Sequence, residues 1–321
     1  SPGGLAARWE RAYASADVFG SGKGCPMEVR FDNRVAIVTG AGAGLGRAHA
    51  KLLASRGAKV VVNDLGDAGT GQTAAQRVVD EIRAEGGEAI ACYDSVAEEA
   101  TARRIVETAL DTFGGLDVVV NNAGILRDKT FAKMDMADFE LVLQVHLLGT
   151  AYVTKAAWQH MLDRKFGRIV LTSSASGLAQ AYGQANYGAA KAGVIGLMNS
   201  LKNEGAKSNV LVNTICPLAA TQMTDGLMSE RLTEISAPEH VSSLVAWLVS
   251  ESCTLNGEIF STGAGHYALI KVMKSEGVVL NPDRPASIEQ IVSSMQAICD
   301  LTGALPYVGT MDARTKAKMG L

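Results

Sequence analysis

Short apolar stretches rich in β-branched residues alternate with helical stretches along most of the chain. This pattern predicts strands at 35–39, 59–64, 88–93, 116–121, 168–172, 209–215 and 257–261. It predicts helices at 47–56, 71–85, 97–113, 135–164, 184–204 and 238–251. Strands that alternate with helices form a parallel sheet that is covered on both faces. The sequence therefore predicts an α/β fold, a doubly wound parallel seven-stranded sheet.

We expect this sheet domain to occupy residues 29–265, with different sequence on either side. Gly20-Ser-Gly-Lys-Gly24 is typical of a flexible linker, so residues 1–28 are interpreted as a flexible extension or a cloning remnant. In the C-terminal extension, 266–321, Ser287 and Gln290 have capping-box spacing before an apolar helical face. We expect that helix to pack on the core or on a partner subunit.

Composition excludes several classes of protein. The net charge of -3 over 321 residues gives no reason to expect nucleic acid as a partner. No apolar run approaches the roughly 20 residues that cross a bilayer, so membrane insertion is not expected. The 5 cysteines are scattered without metal-ligand spacing, which indicates reduced thiols, no metal and an intracellular compartment. Lys318-Met-Gly-Leu321 is not a Ser-Lys-Leu signal, which favours the cytoplasm, with the peroxisome as the alternative.

A glycine-rich turn, Thr39-Gly-Ala-Gly-Ala-Gly-Leu-Gly46, joins the first predicted strand to the first predicted helix. Gly40, Gly44 and Gly46, with Leu45 between the last two, let the backbone turn tightly and approach a pyrophosphate. The helix N-terminus then faces the phosphates. In this position, between strand and helix of a doubly wound sheet, the turn predicts a dinucleotide site.

Polar residues follow the next three strands. Asp64 ends the second strand, where a carboxylate accepts hydrogen bonds from the adenosine ribose and repels a 2′-phosphate. This indicates NAD rather than NADP, although a turn or helix-capping Asp is the alternative. Asp94-Ser95-Val96, after the third strand, suits a polar clamp on the adenine, with Asp94 as a helix cap the alternative. The fourth strand is followed by Asn122, Ala123 and Gly124. An asparagine there can bond the backbone of the neighbouring strand, and Gly124 leaves room for the cofactor. An ordinary turn is the alternative.

Tyr187 and Lys191 stand four residues apart at the start of a predicted helix, so both lie on one helical face. An ammonium beside a phenol stabilises the phenolate and lowers the pKa of the tyrosine. The tyrosine can then take or give a proton near neutral pH. Ser174, at the end of the preceding strand, could hold the substrate oxygen. Two unrelated surface residues are the alternative for the pair in isolation.

These motifs, in this order and at these separations, resemble the short-chain dehydrogenase/reductase family over about residues 30–265. The resemblance implies a Rossmann-type fold that moves a hydride between nicotinamide and a carbonyl or secondary alcohol. It implies Tyr187 as general acid/base, Lys191 as the group that lowers its pKa and binds the nicotinamide ribose, and Ser174 on the substrate oxygen. It also implies that Pro217 and Thr221 contact the nicotinamide, although the stretch after Pro217 departs from the family's usual Pro-Gly.

The family usually has an asparagine in the helix before the active-site strand, and this chain has His146 there. A histidine can also relay protons, since it titrates near neutral pH. A buried histidine bonded to backbone is the alternative.

Several short segments are similar to one subgroup of the family, among them Val62-Asn-Asp-Leu-Gly66 and Gly183-Gln-Ala-Asn-Tyr187. That resemblance implies oxidation of a (3R)-hydroxyacyl-CoA, or a hydroxysteroid, with NAD. An NADPH-dependent 3-ketoacyl reductase and a non-catalytic NAD-binding subunit remain alternatives. Apolar positions on the helices at 135–164 and 184–204 predict a homodimer: Leu141, Val145, Leu148, Tyr152, Ala192, Ile195 and Met198.

Overall fold

The computed structural model describes residues 28–65, 73–179, 181–224, 226 and 228–319. The residues group by their contacts into two compact units, and the boundary between these units lies between Leu269 and Ile270. Apart from residue 28, the extension expected at 1–28 lies outside the described residues. Among the helices of the described residues, none is long and apolar enough to cross a membrane.

The first unit is built on one eight-stranded sheet. Its strands are β1 (Val35–Thr39), β2 (Lys59–Asn63), β3 (Glu88–Cys92), β4 (Val118–Asn121), β5 (Gly167–Thr172), β6 (Val210–Pro217), β7 (Ile259–Gly263) and β8 (His266–Ile270). Their order is β3-β2-β1-β4-β5-β6-β7-β8, and the pairings from β3 to β7 are all parallel. The predicted doubly wound α/β fold is confirmed.

Strand β8 adds an eighth strand beyond residue 265, where no strand is predicted from the sequence. Ala264 and Gly265 both have positive φ, 50° and 76°, which lets the chain reverse in a two-residue turn. Because β8 lies at the sheet edge, most of its side chains are exposed, Tyr267 at 47%. The alternation of buried and exposed residues that identifies a strand in sequence is therefore missing.

Eight helices of the described residues belong to this unit. They are α1 (Gly44–Ser55), α2 (Ala74–Ala84), α3 (Glu99–Phe113), α4 (Met136–Leu143), α5 (Gly149–Arg164), α6 (Ala185–Gly205), α7 (Glu230–Ile235) and α8 (Pro238–Leu248). The sequence predicts one helix over 135–164, but a π-helical segment, Gln144–Leu148, separates α4 from α5. Such segments are often found at functional sites.

The core lies between the sheet and its helices. Every residue of β1 is buried, and Ala36, Ile37 and Val38 are 0% exposed, so this strand contacts only protein. Helix α1 packs against α8, where His49 Nδ1 lies 2.7 Å from Ser242 Oγ. His49 is only 1% exposed and its Nε2 has no hydrogen-bond partner among the described residues. The first helix after the glycine-rich turn is thus tied to the far end of the domain's sequence.

The second unit contains β9 (Met273–Lys274), β10 (Leu305–Pro306), α9 (Ile288–Cys299) and α10 (Ala313–Lys318). Strands β9 and β10 pair antiparallel. The predicted capping box at the start of α9 is present, with Ser287 and Gln290 bonding each other's backbone. Lys274 Nζ contacts Asp312 and donates to Thr315 Oγ1 at 2.9 Å. The packing of α9 on the core or on a partner stays a prediction.

Candidate active site

The predicted site residues lie at the carboxyl ends of neighbouring parallel strands. Because the strands are parallel, these ends meet at one edge of the sheet, which is where ligands bind in such folds. The residues after each strand, from β1 to β5, are Gly40–Gly46, Asp64, Ser95 and Val96, Asn122–Gly124, and Ser174. Pro217 is the last residue of β6, and Thr221 follows this strand.

The turn after β1 requires glycine at two positions for different reasons. Gly40 has φ of 62°, and a Cβ there would lie 2.7 Å from Ala123 Cα. A Cβ at Gly46 would lie 2.2 Å from the carbonyl oxygen of Gly40 and 2.6 Å from Asn122 Nδ2. Leu45 is partly buried against the core. The turn therefore keeps its backbone free of side chains in front of the N-terminus of α1, as a pyrophosphate site requires.

Asp64 closes the other side of this turn. Its Oδ2 accepts a hydrogen bond from the backbone N–H of Gly42 at 2.7 Å. Burial raises the pKa of Asp64, while the bond from Gly42 lowers it. A carboxylate held against the turn suits ribose hydroxyls and repels a phosphate in the same place. The residues present therefore fit a nicotinamide dinucleotide.

Asn122 connects the ends of β1 and β4. Its Nδ2 donates to the carbonyl oxygens of Thr39 and Gly40 at 3.0 and 3.1 Å. In return, Thr39 Oγ1 accepts from the backbone N–H groups of Asn122 and Ala123 at 3.0 and 3.1 Å. The bonding between strand ends that the sequence predicts is thus made by Asn122. Its neighbour Asn121 instead donates to Thr154 Oγ1 at 3.0 Å.

The segment after β3 uses its polar groups locally. Ser95 Oγ accepts from the backbone N–H of Ala97 at 3.1 Å. Asp94 Oδ1 accepts from Arg104 Nε at 2.8 Å. Val96 packs so closely on α5 that a Cβ at Gly149 would lie 2.9 Å from its Cγ2. The helix-cap alternative is not observed for this segment, because the N-cap of α3 is Glu98, which makes no side-chain capping hydrogen bond. The adenine contact of Ser95 and Val96 stays a prediction.

Ser174, Tyr187 and Lys191 meet between the end of β5 and the first turns of α6. Lys191 is 3% exposed, and its Nζ donates to the carbonyl oxygen of Thr172 at 2.5 Å. The same Nζ lies 5.5 Å from the centroid of the Tyr187 ring. The Ser174 hydroxyl lies close enough to Tyr187 to lower the pKa of the tyrosine. The three side chains are therefore close enough to act on one oxygen atom.

Burial shifts the pKa of both members of the pair. It raises the pKa of Tyr187, and this outweighs the effect of the Ser174 hydroxyl, which lowers that pKa. Burial also lowers the pKa of Lys191 from 10.5 to about 7. The sequence alone does not show this effect of burial, and the role of Lys191 in lowering the pKa of Tyr187 stays a prediction.

His146 lies in the π-helical segment and is 2% exposed. Its ring meets the ring of Tyr187 edge to face, with 5.1 Å between centroids. Its Nε2 lies 2.7 Å from the carbonyl oxygen of Ile125, while Nδ1 has no hydrogen-bond partner among the described residues. Burial and the charge of Lys191 lower its pKa to about 3, so the ring is neutral at pH 7. His146 thus makes the backbone hydrogen bond of the buried-histidine alternative and also contacts Tyr187, and its part in a proton relay stays a prediction.

Gly124 and Thr221 have neighbours that the sequence does not indicate. A Cβ at Gly124 would lie 2.2 Å from His146 Cε1, so the space beside this glycine holds the histidine ring. The sequence assigns that space to the cofactor. Thr221 lies next to the glycine-rich turn, with its Cγ2 3.1 Å from the position of a Cβ at Gly44. The nicotinamide contacts of Thr221 and Pro217 stay predictions.

Sequence reasoning missed a set of polar residues around Tyr187. Asn186 Oδ1 accepts from the backbone N–H of Tyr187 at 2.8 Å, and its Nδ2 donates to the carbonyl oxygen of Arg127 at 3.0 Å. Gln184 and Asp128 contact each other nearby. Two amide residues within three positions of the tyrosine were the available signal. The loop that supplies Asp128 carried none.

A glycine-rich turn, a carboxylate beside it and a Tyr–Lys pair at one sheet edge define an oxidoreductase that uses a nicotinamide dinucleotide. The model of the short chain dehydrogenase family matches residues 34–232, and the chain belongs to this family. Among its relatives is peroxisomal multifunctional enzyme type 2 of Mus musculus, 48% identical over 281 residues. That match covers 86% of this chain and 38% of the mouse enzyme, so the chain spans well under half of that relative.

Other comparisons agree on the class. A short-chain type dehydrogenase/reductase of Mycobacterium tuberculosis is 46% identical over 276 residues, covering 85% of this chain and 96% of that protein. The structure of peroxisomal multifunctional enzyme type 2 from Drosophila melanogaster matches with TM-score 0.77 and 40% identity, covering 91% of this chain and 50% of that one. A 7α-hydroxysteroid dehydrogenase complexed with NADH matches with TM-score 0.66 and 28% identity, covering 74% and 95%. The resemblance to the multifunctional-enzyme subgroup is confirmed.

Proposed function

We propose that this protein oxidises the hydroxyl group of a (3R)-hydroxyacyl-CoA to a ketone with NAD, a reaction of the fatty-acid β-oxidation type. The observation that carries the proposal is the meeting of Ser174, Tyr187 and Lys191 beside the glycine-rich turn. A hydroxyacyl-CoA dehydrogenase of Mycobacterium tuberculosis, 41% identical over 247 residues, supports the acyl-CoA substrate. A bulky secondary alcohol such as a hydroxysteroid is a second substrate of the same kind, supported by the 7α-hydroxysteroid dehydrogenase.

In the proposed reaction Tyr187, as its phenolate, takes the proton of the substrate hydroxyl. Ser174 donates its hydroxyl hydrogen to the same oxygen as the oxygen becomes a carbonyl, which stabilises the charge that develops there. Bound NAD would supply the acceptor for the hydride that leaves the substrate carbon. Lys191 in its protonated form favours the phenolate, and its pKa of about 7 leaves it about half protonated at neutral pH.

His146 completes the proposed catalytic set. Because its ring is neutral at pH 7, we assign it a hydrogen-bonding role at Tyr187 rather than that of a charged relay. One tautomer donates from Nε2 to the carbonyl oxygen of Ile125 and leaves Nδ1 as an acceptor. A water that bonds Nδ1 would then link the ring to the proton path from the active site.

The proposed cofactor residues are those around the turn after β1. We infer that Gly40, Gly44, Leu45 and Gly46 hold the pyrophosphate and Asp64 the adenosine ribose. Asn122, Ala123 and Gly124 support the turn and the nicotinamide ribose, with Lys191 and Tyr187. Because the carboxylate of Asp64 repels a 2′-phosphate, we propose NAD as the cofactor rather than the NADPH of the alternative, a 3-ketoacyl reductase. Comparing NAD and NADP at equal concentration decides between the two, and a preference for NADP would overturn this assignment.

We also propose a homodimer that forms through the helices α4 to α6. Leu141 and Leu148 are 41% and 38% exposed, and Ala192 is exposed as well. By contrast, Ile195 and Met198 are 8% and 0% exposed and belong to the core of the chain itself. Sedimentation at micromolar concentration should show a dimer, and a monomer would refute it. We place the protein in an intracellular compartment, the cytoplasm or the peroxisome.

The test of the function is NADH formation on a panel of 3-hydroxyacyl-CoA and hydroxysteroid substrates. The Tyr187→Phe variant should lose NADH formation at least about a hundredfold, since it removes the group that takes the proton. Binding of NAD should remain nearly unchanged, as measured by quenching of protein fluorescence. Turnover retained by this variant would contradict the assignment. NAD binding without turnover on any substrate by the unmodified protein would instead favour a non-catalytic NAD-binding subunit.

A further inference from the structure

A chain of four polar side chains leads from the surface to the active site. Gln184 Nε2 donates to Asp128 Oδ2 at 2.6 Å, and Ser176 Oγ donates to Gln184 Oε1 at 2.8 Å. Ser174 Oγ then lies 3.4 Å from Ser176 Oγ and accepts from the backbone N–H of Ser176 at 3.2 Å. The chain ends at Ser174, whose hydroxyl lies beside Tyr187.

The carboxylate at the outer end fixes the direction of every bond in this chain. A carboxylate only accepts hydrogen bonds, so the amide of Gln184 must present its NH2 group to Asp128 and its oxygen to Ser176. Ser176 has one hydroxyl hydrogen, and the amide oxygen takes it. The oxygen of Ser176 can then only accept from Ser174.

Resting on the function proposed above, we propose that Asp128 and Gln184 are positioning residues. They direct the hydroxyl hydrogen of Ser174 toward Ser176 and away from Tyr187. Ser174 then stabilises the phenolate less than it would with a free hydroxyl. The tyrosine therefore keeps its own proton up to a higher pH.

Charges around Tyr187 act beside this chain, and they come from several elements. Lys191 lies on α6, His146 on the π-helical segment, Cys216 on β6 and Asp128 on the loop after β4. The pKa of Tyr187 is raised by burial and also by the charges of Asp128 and Cys216. Replacing Asp128 therefore changes both a charge and the bond direction. Replacing Gln184 with an uncharged residue changes only the bond direction.

The experiment measures the ionisation of Tyr187 directly, without cofactor or substrate. Tyrosinate absorbs near 295 nm, and subtracting the titration of the Tyr187→Phe variant in the same background isolates this residue. In Gln184→Met, Ser176 loses its acceptor and can donate to Ser174, so Ser174 can donate to the phenolate. The midpoint for Tyr187 should move to lower pH. In Gln184→Glu, the carboxylate still accepts from Ser176, so the midpoint should not fall below that of the unmodified protein.

The control is Glu140→Gln, which removes one exposed surface charge outside the chain of hydrogen bonds and should leave the midpoint unchanged. Asp128→Asn should lower the midpoint, and because Asp128 is exposed this variant should fold normally. Midpoints that are equal in Gln184→Met and the unmodified protein, at equal melting temperature, would overturn the proposal. Since this titration needs no turnover, it is independent of the substrate panel: failure on the panel alone refutes the function and leaves the positioning role standing.

Discussion

Replacing Lys191 by methionine should make the protein more stable near neutral pH while removing its activity. The side chain is 3% exposed, and burial lowers its pKa from 10.5 to about 7. Keeping the ammonium in the fold therefore costs about 5 kcal/mol, from about 3.5 pKa units at about 1.4 kcal/mol each. The bond from Nζ to Thr172 oxygen offsets part of this, roughly 1.5–3 kcal/mol.

The pH dependence of the free energy of unfolding tests whether the pKa of Lys191 is lowered in the fold. Between about pH 7 and 10.5 the unfolded chain binds a proton at Lys191 that the folded chain lacks, so unfolding takes up a proton. The stability of the unmodified protein therefore rises with pH in this window, and the methionine variant lacks this contribution. The difference between the two proteins should change by about 2.5 kcal/mol between about pH 7.5 and 9.5.

The assay is urea unfolding of both proteins, freed of nucleotide, at several pH values and one protein concentration. Groups away from Lys191 titrate alike in both proteins and drop out of the difference. A stability difference that stays constant from about pH 7.5 to 9.5 would show that Lys191 is fully charged in the fold. It would refute the account of the active site in which Lys191 titrates near neutrality.

Two more predictions concern the turn after β1 and the helix that follows it. Gly46→Ala should weaken NAD binding more than tenfold in calorimetry, because its Cβ would lie 2.2 Å from the carbonyl oxygen of Gly40. Gly196→Ala, with no atom within 4 Å of its Cβ, is the control, and equal affinity in both variants would contradict the steric argument. His49→Gln should resist acid better. Burial lowers the pKa of His49 from 6.5 to about 3. As the pH is lowered through this window, the unfolded chain binds a proton that the folded chain does not bind, so the stability of the unmodified protein decreases. Acid titration followed by circular dichroism should show a lower unfolding midpoint for His49→Gln, and an unchanged midpoint would assign acid unfolding to other groups.

The fold could be predicted from sequence because its central strands are buried on both faces and read as continuous apolar runs. The helix expected at 135–164 shows the limit of this approach. A π-helical segment at Gln144–Leu148 leaves the pattern of apolar residues nearly intact, so periodicity does not reveal it. Likewise β8 lies at an edge and alternates too weakly to be recognised.

The positions of the site residues could be predicted, but their protonation could not. Sequence spacing brings Tyr187 beside Lys191, since four residues span one turn of a helix. The pKa of each depends on how completely the fold removes water, and spacing contains no information on that. The contact of Asp128 with Gln184 was hidden for another reason, because 56 residues separate the two and only the folded sheet brings them together.

The bonds between Thr39 and the segment after β4 have a consequence for how the protein is made. Thr39 and Asn122 are 83 residues apart, and the glycine-rich turn is held in place only when the hydrogen bonds between them have formed. Strand β1 lies between β2 and β4, so its contact with β4 requires the chain to cross over the sheet first. Pairings between distant segments form slowly, because a long loop must close before they stabilise anything. During synthesis, the nucleotide can therefore stabilise the folding chain only after β4 has left the ribosome.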